Sequence, residues 1–150
     1  MARIIGYRRF GGVEVLEEGS VSLPAPGEGQ VLVTVRAAGI NPVDYKLFGG
    51  LTRPLEVLRT IVHPGRWFAR GADRPLRGVG QDFAGVVAAV GPGVTNMVVG
   101  DEFIGLLRAA PWQVREYGSL ATQLVISADN VVSKPASMSF DVAGGLGVAA

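Results

Sequence analysis

Few side chains in this 150-residue chain combine a useful functional group with a local sequence that would hold it in place. Asn41 is the first. Its amide carries both a donor and an acceptor, and Pro42 follows it. Asparagine is a good helix cap, and proline at the first helical position lacks only an N–H that would be unpaired anyway. The same residue therefore reads as a plain N-cap and as a ligand contact, and the two are compatible. Asp44, in the first turn, is either a hydrogen-bond partner for that corner or a carboxylate favoured there by the helix dipole. Tyr45 is an aromatic at a pocket edge or a packing residue, and Thr52 could offer a hydroxyl. Asp82, preceded by Gly80-Gln81, reads as a hydrogen-bond acceptor at a turn. No side chain declares itself as a nucleophile or general acid. The chain has no cysteine, which removes a disulfide scaffold, a thiolate zinc site and a cysteine nucleophile together. His63 is its one histidine and cannot make a ligand set.

The elements that would position these residues are mostly strands. With 22 glycines and 9 prolines, long helices are disfavoured, and short strands with turns become the default. Arg3–Tyr7 reads as a strand, and Gly11-Gly12 as a turn into a second at Val13–Leu16. Pro24–Gly29 is a loop. Val31, Val33 and Val35 then alternate with Leu32, Thr34 and Arg36, a period of two rich in β-branched residues. Asn41-Pro42 opens a helical turn running through Asp44 to Phe48. Further strands are expected at Phe83–Val90, Met97–Val99, Glu102–Leu107 and Leu120–Ile126, and a helix start at Ser137–Asp141. The fold class is mainly β with a few short helices.

Composition narrows the function classes. Hydrophobic residues make up 48% and charged residues 18%, so disorder is excluded. A net charge of +1 gives no general attraction to nucleic acid or anionic membrane, and neither is expected as a partner. The charge-free run Phe83–Gly100 is broken by Gly91-Pro92-Gly93 and does not read as a membrane span. No targeting segment stands out, and a cytoplasmic location is expected. Leu51–Gly78 differs from the rest, carrying Arg53, Arg59, Arg66, Arg70, Arg74 and Arg77 against Glu56 and Asp73. Within it, Pro54–Val62 could form a short helix. The stretch reads as a solvated insertion, as a lid whose arginine forks recognise an anionic group, or as a nucleic-acid contact through Trp67 and Phe68.

Two segments in order carry a family resemblance. Ala37-Ala38-Gly39-Ile40-Asn41-Pro42-Val43-Asp44 resembles the strand-to-helix corner of the medium-chain dehydrogenase/reductase superfamily. Gly80-Gln81-Asp82-Phe83-Ala84-Gly85-Val86-Val87, continuing to Val90-Gly91 and Gly100-Asp101, resembles its G-x-(E/D)-x-(A/S)-G-x-V…V-G…G-D signature. The opening Phe10–Leu16, the Pro26–Gly29 loop and Lys134-Pro135 fall in the same order. The resemblance implies a GroES-like, partly open β-barrel at 1–136, with 51–78 as an arginine-rich insertion. It implies that 137–150 begins the helix leading toward a Rossmann half absent from these residues. Zinc-dependent relatives place a cysteine where Asn41 stands and a histidine where Gln81 stands, so no metal is expected.

The zinc-free branch it most resembles is the quinone oxidoreductase family with related enoyl reductases. That resemblance implies a catalytic-domain portion of an NADPH-dependent enzyme, a homodimer when complete, that transfers hydride to a quinone or an α,β-unsaturated carbonyl. Asn41, Pro42 and Asp44 would lie at the cofactor, and Tyr45 and Thr52 at the substrate pocket. The family often has a tyrosine in a Gly-x-Tyr sequence where this chain reads Gly50-Leu51-Thr52. Gly145-Leu146-Gly147-Val148-Ala149-Ala150 formally fits a dinucleotide fingerprint but lacks the strand that must precede one. The competing readings are a freestanding GroES-like binding or assembly module, and a zinc alcohol dehydrogenase with displaced ligands.

Overall fold

The alternation at residues 31–35 produces the burial that a period of two demands. Val31 and Val33 are wholly buried, and Leu32 and Thr34 on the opposite face are half-buried. A computed structural model of the chain, describing residues 1–51, 54, 75–107 and 118–149, places this run in the middle of a nine-residue strand. The strands are β1 (Ala2–Tyr7), β2 (Leu16–Val21), β3 (Gln30–Ala38), β4 (Arg77–Gly78), β5 (Asp82–Val90), β6 (Glu102–Leu106), β7 (Gln123–Ser127) and β8 (Val131–Ser133). The α-helices are short, α1 (Pro42–Lys46), α2 (Phe140–Ala143) and α3 (Leu146–Ala149), and single 3-10 or π turns lie at Val13–Val15, Leu47–Leu51 and Ala128–Asn130.

The strands form two antiparallel sheets, in the orders β2-β1-β4 and β7-β3-β5-β6-β8. Neither closes into a barrel, which agrees with the mainly β, partly open architecture expected from the sequence. One hydrophobic core lies on the inner face of the larger sheet and includes Val31, Val33, Phe83, Val87, Phe103 and Leu124. Phe83 and Phe103 meet edge to face at 5.7 Å there. A second cluster joins Tyr7, Val15, Phe48 and Val79, so the chain just after α1 is anchored beside the smaller sheet. Arg77 spans that cluster, its guanidinium 5.9 Å from the Tyr7 ring and 5.4 Å from the Phe10 ring.

Two expected strands are not strands. Val13–Val15 is a turn of 3-10 helix, and the strand starts only at Leu16. The Glu14 carboxylate accepts the Gly12 N–H at 2.8 Å, and the Val15 N–H returns to the Gly12 carbonyl at 3.2 Å, which curls the segment. Backbone hydrogen bonds from its own amide and that of Gly12 hold the Glu14 carboxyl below the ordinary carboxylate range. Any stability this gives is present at neutral pH and is lost as pH falls through the lowered value. Met97–Val99 is also irregular, with Val98 and Val99 exposed. The Asp101 side chain takes the Val98 N–H at 2.8 Å and the Val98 carbonyl takes the Asp101 N–H at 3.2 Å, closing a turn instead of a ladder. The last long strand begins at Gln123, not Leu120; upstream of it only Ala121 bridges to Ile4. Of the arginine-rich stretch, Arg77 and Gly78 belong to a sheet; Pro54–Val62, apart from Pro54, and His63 lie outside the described residues.

Phe103→Ala is expected to lower unfolding free energy by about 3–5 kcal/mol, because it opens a cavity under the Phe83 ring. Val132→Ala, at an exposed position on β8, should stay within about 0.5 kcal/mol of the parent. Urea titration would contradict this core if the two variants lost similar stability.

Candidate functional site

The expected corner forms at the end of β3. Opposite β5 the register jumps between Val35↔Gly85 and Ala37↔Ala84, so Arg36 is an extra residue on β3. A bulge of this kind bends a strand and re-aims the chain beyond it. The Gly39 N–H still reaches the Asp82 carbonyl at 3.1 Å, and the chain then leaves the sheet through Ile40 into α1. Asn41 is the extended N-cap residue and Pro42 occupies the first turn, as the sequence implies.

Two buried carboxylates fix this corner. Asp44, 1% exposed, accepts the Asn41 N–H at 2.8 Å through one oxygen and the Gly80 N–H at 3.2 Å through the other. It is thus a hydrogen-bond partner that ties the first turn of α1 to the segment entering β5. Asp82, at zero exposure, accepts the Asn41 side-chain Nδ2–H at 2.7 Å. Its acceptor role matches the sequence reading, but it sits at the first position of β5 and reaches across 41 residues. A buried carboxylate without partners would cost several kcal/mol, so these contacts are conditions of the local fold.

Glycines make the arrangement possible. Gly80 has φ +92°, a conformation L side chains rarely adopt, and a Cβ there would lie 2.3 Å from the Ser119 Oγ. Gly39 and Gly147 flank Asp82: a Cβ on the first would stand 2.7 Å from its Oδ1, and one on the second 2.8 Å from its Cβ. The glycine run near the C-terminus therefore lets α3 approach Asp82 closely. It is preceded by helix α2 and not by a strand, as its fingerprint reading would need. Residue patterns pointed to Gly80 and Gly39 only as members of longer motifs. Nothing in the sequence marked Ser119, which is fully buried with no hydrogen-bond partner for its hydroxyl among the described residues.

The corner is open to its surroundings. Asn41 is half-buried and Pro42 exposed; Ile40 before them, Tyr45 within α1 and Leu51 at the end of the turn that follows α1 are 75%, 56% and 61% exposed. Tyr45 is therefore a surface aromatic at the corner, not a core residue. Thr52 lies outside the described residues. Gln81 is half-buried, and its carbonyl accepts the Leu107 N–H at 2.7 Å. Among the described residues no three His, Cys, Asp or Glu side chains group as metal ligands would. A fixed, half-buried amide with exposed apolar residues in the same stretch of chain is able to meet a flat ligand with a polar edge. A separate cleft of about 390 Å³ runs between β1 and the end of β3, lined by Ile4, Ile5, Val35, Ala37 and Leu120, and Asn41 does not border it.

Asp44→Ala removes the partner of two amide groups at once and is expected to cost about 2–4 kcal/mol. Gly39→Ala, which pushes against the Asp82 carboxylate, should cost about 1–3 kcal/mol. Hydrogen exchange provides the local readout, with the Gly80 amide losing protection in Asp44→Ala. Unchanged protection there would contradict the carboxylate bridge.

The alcohol dehydrogenase GroES-like domain profile matches residues 27–136. The chain is 34% identical over 146 residues to the NADPH-dependent alkenal/one oxidoreductase, chloroplastic, of Arabidopsis thaliana, covering 95% of the chain and 33% of that protein. Among solved structures it resembles the quinone oxidoreductase of Pseudomonas syringae pv. Tomato DC3000, with TM-score 0.70, 31% identity, and coverage of 96% of this chain and 37% of that one. It also resembles the Escherichia coli quinone oxidoreductase complexed with NADPH, with TM-score 0.67, 25% identity, and coverage of 95% and 36%. The chain thus spans about a third of the length of the curated relatives it matches. It belongs to the alcohol dehydrogenase GroES-like domain family and stands with the zinc-independent quinone- and enoyl-oxidoreductase members of the medium-chain dehydrogenase/reductases.

Proposed function

We propose that this chain is the part of an NADPH-dependent reductase that covers the nicotinamide and receives a quinone or an α,β-unsaturated carbonyl. The observation that carries the reading is the half-buried Asn41, whose backbone N–H is held by Asp44 and whose side-chain amide is held by Asp82, in a stretch where Ile40, Pro42 and Tyr45 are exposed. A nicotinamide nucleotide fits such a place: its ring is flat and its carboxamide and ribose offer hydrogen bonds to a fixed amide.

Asn41 would hold the cofactor's polar edge, Pro42 would keep the corner in one conformation, and Tyr45 would border the acceptor. When bound, the reduced cofactor supplies the hydride. The chain's own contribution is orientation and exclusion of water, which bring acceptor and donor into reacting geometry without covalent chemistry. Exposed apolar side chains in this stretch serve both ends, since they favour a planar acceptor and form a dry wall once covered. Support also comes from the relatives, which are named as an NADPH-dependent alkenal/one oxidoreductase, a quinone-oxidoreductase and trans-enoyl reductases. In this reading most cofactor binding, and turnover, belong to a longer protein, in keeping with a chain that spans about a third of those relatives.

The 150 residues alone are expected to oxidise NADPH no faster than background, with or without a quinone or enone. Paired with a dinucleotide-binding half of the same family, they should support NADPH oxidation that requires the acceptor and survives treatment with EDTA. Oxidation that no quinone or enone stimulates would overturn the reading. Activity that EDTA abolishes and zinc restores would return the zinc dehydrogenase alternative.

A further inference from the structure

The pairing of Asn41 with Asp82 determines which end of the amide is available. A carboxylate accepts hydrogen bonds and does not donate them. With Asp82 Oδ1 at 2.7 Å, Asn41 must face it with nitrogen, because a flipped amide would set two oxygens against each other. The carboxylate is closely packed between two backbone segments where such a clash would arise. Gly39 backs it on one side and Gly147 of α3 on the other, each close enough that a single added carbon would collide. Asp82 itself is without solvent exposure, so water does not compete for the bond. The amide's orientation is thereby decided by a residue that lies behind it, on another strand.

Resting on the function proposed above, we infer that Asp82 is a positioning residue that commits the Asn41 nitrogen inward and turns Oδ1 to the Asp44 N–H side of the capping box, where its second lone pair is the one offered to a ligand. Asn41 therefore recognises a hydrogen-bond donor, either a ribose hydroxyl or the N–H of the nicotinamide carboxamide. It does not serve as the donor that steadies a developing enolate oxygen. Its contribution falls on cofactor affinity, and the acceptor's oxygen must be met by some other group. The same pair explains why a neutral side chain suffices at this corner: the orienting charge is supplied from underneath, where it cannot bind the ligand directly.

A double-mutant cycle tests this in the protein that joins the chain to its dinucleotide-binding half, with NADPH affinity and turnover of a quinone read separately. Asn41→Ala and Asp82→Asn are each expected to weaken NADPH binding about tenfold or more, with kcat changed by less than about threefold. The double variant should bind no more weakly than Asn41→Ala, because Asp82 acts through the amide. Additive losses, or a fall in kcat at unchanged affinity, would overturn the inference while leaving the reductase reading intact. A parent enzyme that reduces no quinone or enone would instead remove the reductase reading. Amide NMR of the unmutated 150-residue chain keeps the orientation testable if Asp82→Asn misfolds. The Asn41 side-chain NH2 should exchange with water far more slowly than exposed asparagine amides, and exchange at the exposed rate would overturn the proposal.

Discussion

The Asp44 carboxylate, which accepts both the Asn41 N–H beside it and the Gly80 N–H 36 residues away, is the constraint on which the rest of the corner depends. It sits with 1% exposure, where an unmet charge is costly, so the first turn of α1 and the loop at Gly80 must come together for the domain to fold. Once they do, Asp82 is delivered to the underside of Asn41 by the strand that begins two residues later. Two carboxylates, reached from separate parts of the chain, leave the asparagine almost no freedom. That is how a short helix of five residues becomes a rigid support.

The sheets provide the stiffness behind this. β3 is bound on both sides, by β5 and by β7, and its buried valines lock it into the larger core. Phe48 pins the far end of the corner in the second cluster, where the Gly11 N–H also reaches its carbonyl at 3.0 Å. On the exit side, Lys134 fastens the approach to α2. Its ammonium contacts Glu102 at 2.9 Å and the Met138 carbonyl at 2.6 Å, and stands 5.0 Å from the Phe140 ring. The corner is therefore held at its start, at its end and from below by α3, while its outer side stays exposed.

The range of each interaction decides whether sequence alone reveals it. β3 is legible because its alternation is local, and α1 because an Asn-Pro cap is local too. Met97–Val99 misleads for the same reason: three apolar residues suggest a ladder, but the Asp101 side chain captures the Val98 N–H and closes a turn first. Val13–Leu16 misleads likewise, through Glu14 and the Gly12 amide. The dual reading of Asp44 cannot be resolved from its neighbours, since its second partner is Gly80. Asp82 is recognisable as an acceptor but not as the partner of Asn41, because only the pairing of β3 with β5 brings them together. Thr52 and most of the arginine-rich stretch lie outside the described residues.

A crystal structure of the cofactor-bound enzyme containing this chain would test the central claim most directly. Asn41 Oδ1 is expected within about 2.7–3.2 Å of a ribose hydroxyl or the carboxamide nitrogen of the nicotinamide, with Nδ2 still on Asp82. A nicotinamide bound away from this corner, or one whose carboxamide oxygen receives a hydrogen bond from Asn41 Nδ2, would contradict it.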